Sequence, residues 1–188
     1  MPNTPGNADS FLLTHAPTRH SVARLLAALA CLLALSACVS SRPTDRPLPD
    51  ARPADFALGL TVYTPEGAVR RPGQRAARYV VEPDGRLRAA VGQGASVSVR
   101  PEMARQLTDA QRDRLWDMVL ATGFDAVSPA LRLSSPETFD SPSGRRVYLV
   151  EITADGTRRA VAMPEGEPET EPFIDLADAL ADLAWVRP

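Results

Sequence analysis

A chain of 188 residues with 44% hydrophobic and 23% charged side chains suffices for one folded domain with tails, in the globular rather than the disordered range. Its 23 acidic and 21 basic residues leave a net charge of −2, which removes any global electrostatic pull toward nucleic acid. All 21 basic residues are Arg, and both His residues, His15 and His20, stand in the first twenty positions.

The chain opens on a polar stretch, long for the start of a signal sequence, which admits a start downstream of Met1. It ends in Arg19-His20-Ser21-Val22-Ala23-Arg24, followed by an apolar run from Leu25 to Leu35 and then Ser36-Ala37-Cys38. Basic residues, a short apolar segment and small residues, in that order, predict a secretory signal peptide over 1–37. The apolar run is too short to cross a hydrocarbon core of about 30 Å as a stable helix. Leu35-Ser36-Ala37-Cys38 resembles the lipobox of bacterial lipoproteins. The resemblance implies cleavage before Cys38, acylation of its thiol (palmitate, for example), and in many bacteria a further chain on the new amino group. Two or three acyl chains, at about 0.8 kcal/mol per buried CH₂, hold a domain at a membrane where one does not. Val39 rather than Asp follows, and by the same resemblance this favours the outer membrane of a diderm host.

Such processing removes Cys31 and both His residues. The mature chain then has no His, no Lys and no free thiol, so no disulfide can form within it. Ser-His-Asp, Cys-His, Ser-Lys and Schiff-base chemistry lose a required group. Zinc held by His or Cys, haem held by His, and histidine switches are lost too. Carboxylate hydrolysis and oxygen-only cation sites remain conceivable. The expectation is no catalytic residue, no metal, no cofactor and no nucleic-acid partner.

Residues 38–54 carry Pro43, Pro47, Pro49 and Pro53 and read as an extended tether. The domain, 55–188, opens with Phe56, Leu58, Leu60 and Val62 alternating with small or polar residues, which predicts a strand. Arg78 to Glu82, the turn Pro83-Asp84-Gly85 and Arg86 to Val91 predict a hairpin, and Val97 to Val99 a further short edge. Thr108 and Gln111 form a capping box for a helix that carries Leu115, Trp116, Val119 and Leu120 and stops at Gly123. A Pro- and Ser-rich loop, 128–144, leads to a second hairpin, Val147 to Thr153 and Arg158 to Met163, turning at Asp155-Gly156. After an acidic loop, Pro172 suits the first turn of a helix lined by Phe173, Leu176, Leu180 and Leu183. The pattern predicts an α+β domain in the order β-ββ-α-ββ-α. Its mostly antiparallel sheet has about five strands, with both helices packed on one face.

Four groups of residues could carry function. Glu165, Glu167, Glu169 and Glu171 offer oxygens to a cation, but without EF-hand spacing they read better as a solvated loop. Asp84 and Asp155 could pair as catalytic acids, yet turn geometry already accounts for both. Trp116 and Trp185 could stack a ligand, although Leu neighbours on helix faces favour the core. Arg78, Arg86 and Arg88 on one hairpin and Arg158 and Arg159 on the other could form a basic stripe for a phosphate, a lipid headgroup or an acidic partner.

From Phe56 onward, an Asp-Gly hairpin precedes a helix opening Leu107-Thr108-x-x-Gln111, and a second hairpin and helix follow. This outline resembles small bacterial α+β modules and is similar to that of emfourin-type inhibitors of thermolysin-like proteases. The leading expectation is a non-catalytic binding module, displayed on a membrane by its lipid and recognising an envelope protein or ligand. A protease inhibitor presenting the 128–144 loop is the alternative, and a carboxylate-dependent hydrolase comes third.

Overall fold

The computed structural model describes residues 47–65, 71–92, 94–141 and 144–185. The expected signal peptide, the lipobox-like run with Cys38 and the expected tether as far as residue 46 lie outside the described residues.

Six antiparallel strands and two α-helices build the domain: β1 (Ala57–Tyr63), β2 (Ala77–Val81), β3 (Arg86–Val91), β4 (Glu102–Gln106), α1 (Asp109–Ala121), β5 (Val147–Ala154), β6 (Thr157–Pro164) and α2 (Thr170–Leu183). The α+β class therefore holds, with six strands where about five were expected. The sixth is β4, and it lies beyond Val97 to Val99, where turns stand instead. Its sequence Glu-Met-Ala-Arg-Gln has no apolar alternation, because an edge strand that is mostly exposed needs none.

The sheet order is β4-β3-β2-β1-β5-β6. Leu60 of β1 faces Tyr79 of β2 on one side and Val150 of β5 on the other, so Leu58, Leu60 and Val62 share a face with Tyr79, Val81, Tyr148, Val150 and Ile152. Both helices supply the rest of that core: Leu115, Trp116 and Val119 from α1, and Phe173, Leu176, Ala177 and Leu180 from α2. Phe56 meets Trp116 edge to face, with ring centroids 5.1 Å apart.

The helices cross the strands in opposite senses. α1 starts directly after β4, where the Leu107 amide donates to the Gly85 carbonyl. It ends before a 3₁₀ turn (Phe124–Ala126) whose Asp125 carboxylate accepts from Arg159 of β6. α2 starts where the Thr170 hydroxyl donates to the Pro164 carbonyl of β6, and it ends where Arg105 of β4 donates to the Leu183 carbonyl. The capping box at Thr108 is formed in full: the Gln111 amide donates to the Thr108 hydroxyl, and the Thr108 amide to the Gln111 side chain. Gly123, at φ 62°, turns the chain out of α1.

The loop after α1 closes the other face. Arg132 bridges to Val161, the Leu133 amide donates to the Ala160 carbonyl, and the chain thereby rounds the β6 edge. Glu137 then pairs with Arg158, and Phe139 packs at 5.7 Å on Tyr63, both partners belonging to this back face. This covering explains why seven of the eight residues of β5 are buried, without the half-exposed alternation of an open sheet.

Candidate functional site: the back face and the β4 edge

The register divides the five arginines of the expected stripe. Arg78, Arg86, Arg88 and Arg158 lie on the back face, since Thr61 faces Arg78, Val80 faces Arg88, and Arg158 faces Thr153. Arg159 faces Ile152 and so belongs to the helix face, where it binds Asp125. Adjacent residues in a strand point to opposite faces, so Arg158 and Arg159 cannot both join one stripe.

Arg78 is buried at 8% exposure rather than presented to solvent. Its Nη1 donates to Glu151 Oε2 at 2.6 Å and to the Thr61 hydroxyl at 2.7 Å. The other Glu151 oxygen accepts from Arg158 at 2.5 Å, and Arg158 continues to Glu137 at 2.5 Å. A chain Arg78-Glu151-Arg158-Glu137 thus crosses β2, β5 and β6 to the covering loop. The hydrogen bond to Glu151 raises the Arg158 pKa, while the backbone and then Arg158 hold the Glu137 carboxyl below its usual value. Gly59, between β2 and β5 on β1, leaves room for the pair. A Cβ there would stand 3.0 Å from Glu151 Oε2 and 3.2 Å from both terminal nitrogens of Arg78.

The remaining arginines are also engaged. Arg88 donates to Glu82 at 2.8 Å, Arg100 reaches the same carboxylate at 3.1 Å, and Arg86 lies 3.2 Å from Asp84. These pairs set four carboxylates against five guanidiniums, so the back face is built more as an ion-pair lattice than as a cationic surface.

The acids are dispersed in the same way. Glu165 takes Arg146, and Glu171 takes Arg71 at 3.0 Å, so the acidic loop does not converge on one point. Among the described residues no group of His, Cys, Asp and Glu is arranged to hold a metal. Glu151 is the one buried carboxylate among them, and both its oxygens face guanidiniums. Asp84 and Asp155 sit at hairpin turns, with Gly85 at φ 85° and Asp155 and Gly156 at φ 50° and 71°.

The two tryptophans part company. Trp116 is core, as expected. Trp185 is not: it stands past the end of α2 in a left-handed conformation, φ 56°, and is 73% exposed. Only the Arg105 guanidinium lies over its ring among the cation-π contacts of the described residues, at 5.0 Å. The continuing Leu and Ala pattern hid the end of the helix, which lacks a Gly or Pro stop.

Trp185 belongs to a group that sequence reasoning missed. The four large apolar side chains exposed among the described residues are Val91, Val99, Met103 and Trp185. They come from the end of β3, the β3-β4 loop, β4 itself and the chain end stacked on Arg105 of β4. No described strand pairs beyond β4. The opposite edge, β6, is overlaid by Arg132 and Leu133. A bulge between Leu87 and Arg88 twists the β4 ladder, and Glu102 and Arg105 charge it, which guards an open edge against indiscriminate pairing.

No helix among the described residues is long and apolar enough to cross a membrane. No protein-family model matches the chain, and no curated protein matches it.

Proposed function

We propose that the chain is a lipoprotein anchored through Cys38 to a bacterial envelope membrane, and that its domain is a non-catalytic binding module for an envelope protein or ligand. The observation that carries the reading is the run Leu35-Ser36-Ala37-Cys38 behind a basic and then an apolar segment. Two features of the domain support the binding role. Its back-face arginines are consumed in ion pairs, while its exposed large apolar side chains come from β3, the β3-β4 loop, β4 and the residue after α2, on the side of the sheet that no described strand continues. The 128–144 loop is clamped through Arg132, Leu133, Glu137 and Phe139, so the edge offers a freer surface than the loop that an inhibitor would present.

The test uses intact cells fed a labelled fatty acid. Wild-type protein carries the label and lacks residues 1–37, whereas Cys38→Ala accumulates as an unlabelled precursor. A Cys38→Ala protein that partitions with lipid as the wild type does would overturn the anchor. In the same cells, photocrosslinks to the wild type are lost from a Met103→Glu/Trp185→Ala variant, and their persistence would remove the edge as the binding surface.

A further inference from the structure

The segment just before β1 is held to the domain at three successive points. The Leu48 amide donates to Asp125 Oδ2 at 2.5 Å, and its half-buried side chain packs against the core. Arg52 follows, 2.7 Å from Asp113 and 3.3 Å from Asp109 on α1, with its side chain only 15% exposed. Asp55 completes the set, its carboxylate accepting the amides of Asp155 and Gly156 at 2.9 and 2.6 Å in the β5-β6 turn. One clamp lies at the turn after α1, one on the first two turns of α1, and one at the end of the sheet. Residues 48–55 are therefore a strap along the domain, although their prolines read as a free tether.

We infer that this strap orients the domain: it fixes the exit of the lipid-bearing chain at the corner shared by Asp125 and β6, so that this corner faces the bilayer and the β4 edge faces away. The inference rests on the lipoprotein reading above. Cys38 and Leu48 are ten positions apart, and ten residues span at most about 35 Å. Releasing the strap would add eight positions, 48–55, or roughly 28 Å of slack. The sheet order puts β4 five inter-strand spacings from β6, about 24 Å at roughly 4.8 Å each. A leash that leaves beside β6 brings that corner to the headgroups with the least extension, whereas seating the β4 edge there would take up about 24 Å of its reach.

Mature lipidated protein in phosphatidylcholine vesicles tests this directly, because acylated Cys38 leaves no free thiol to confuse labelling. A fluorophore is placed on Ala126→Cys, beside Asp125, or on Met103→Cys, on β4, and is quenched by spin-labelled headgroups. The expected quenching at 126 is severalfold that at 103, and in an Arg52→Ala/Asp55→Ala background the ratio falls toward one. Equal or reversed quenching with the intact strap would overturn the inference. Hydrogen exchange on the unlipidated chain 39–188 reads the strap by itself. The Leu48 amide should exchange at least tenfold more slowly than in a free peptide, and free-peptide exchange would also overturn the inference. Failure of the protein to carry lipid, with Leu48 still protected, would instead sink the lipoprotein reading and with it the orientation, while leaving the docked strap.

Discussion

At the scale of single residues, the domain's most exacting arrangement is the pair of Arg78 and Glu151 beneath Gly59. Burying two charges is costly, and their attraction, the Thr61 hydroxyl and Arg158 together offset that cost. Removing one partner leaves the other uncompensated. Arg78→Met should lower stability by about 3 kcal/mol in urea melts, whereas Arg78→Met/Glu151→Leu should recover at least half of that loss. A double variant no more stable than the single one would mean that shape, not charge, sets the cost. Two phenols raise a second residue-scale matter. The Tyr79 hydroxyl is buried with no hydrogen-bond partner among the described residues. Burial first, and then the Asp178 charge, pushes Tyr79 up to about 12, against the pull of Arg75. Burial likewise raises Tyr148. In the unfolded chain a tyrosine titrates near 10, so stability is unaffected below that pH and falls as pH rises from about 10 to 12. Urea melts across this range should show a loss on the order of 2 kcal/mol attributable to Tyr79. In Tyr79→Phe that part of the loss disappears, and the neutral-pH cost stays small because no hydrogen bond is broken.

At the scale of elements, α1 depends on its first turn. Its exposed side carries Asp109, Asp113, Arg114 and Asp117, and among its buried residues are Leu115, Trp116 and Val119. Thr108→Ala removes one half of the capping box and should cost about 1 kcal/mol, while Thr108→Ser or Thr108→Asp should keep most of the stability. Thermal melts of the three variants check this, and a loss equal for Ala and Ser would exclude the cap as the cause. The same first turn receives Arg52, so the cap and the strap meet at one place. Elements like this were legible beforehand because their signals are local: a Thr three positions before a Gln, an Asp-Gly between alternating apolar runs. β4 was not legible. Its residues pair with β3 but bury little, and neither periodicity nor β-propensity marks such a strand. The strap was hidden for a related reason. Prolines at 47, 49 and 53 predict an extended backbone, but extension would say nothing about whether the chain lies against a surface, and the segment in fact bends at residues 50–51 and turns at 54–55. For the candidate site, the alternation showed that Arg86 and Arg88 share a side. It could not show that Glu151 and Glu82 wait opposite the basic groups, because those pairings depend on which strands become neighbours.

At the scale of the whole molecule, the order of the strands separates what is near in sequence from what is far. β1 through β4 pair as successive neighbours, but the other side of β1 is filled by β5, from the far side of the helix and the long loop. Gly59 meets Glu151, and Leu60 meets Val150. If the chain is secreted as proposed, threading N-terminus first delivers β1, its hairpin partners and α1 while the middle of the eventual sheet is still a raw border. Only when the last third emerges can that border be sealed. Contacts of such long range are slow to form, and an unsealed strand border attracts foreign chains. Under the secretion proposed above, this architecture imposes a waiting period during vectorial delivery, and the half-emerged domain would suit a holding chaperone on the far side of the pore.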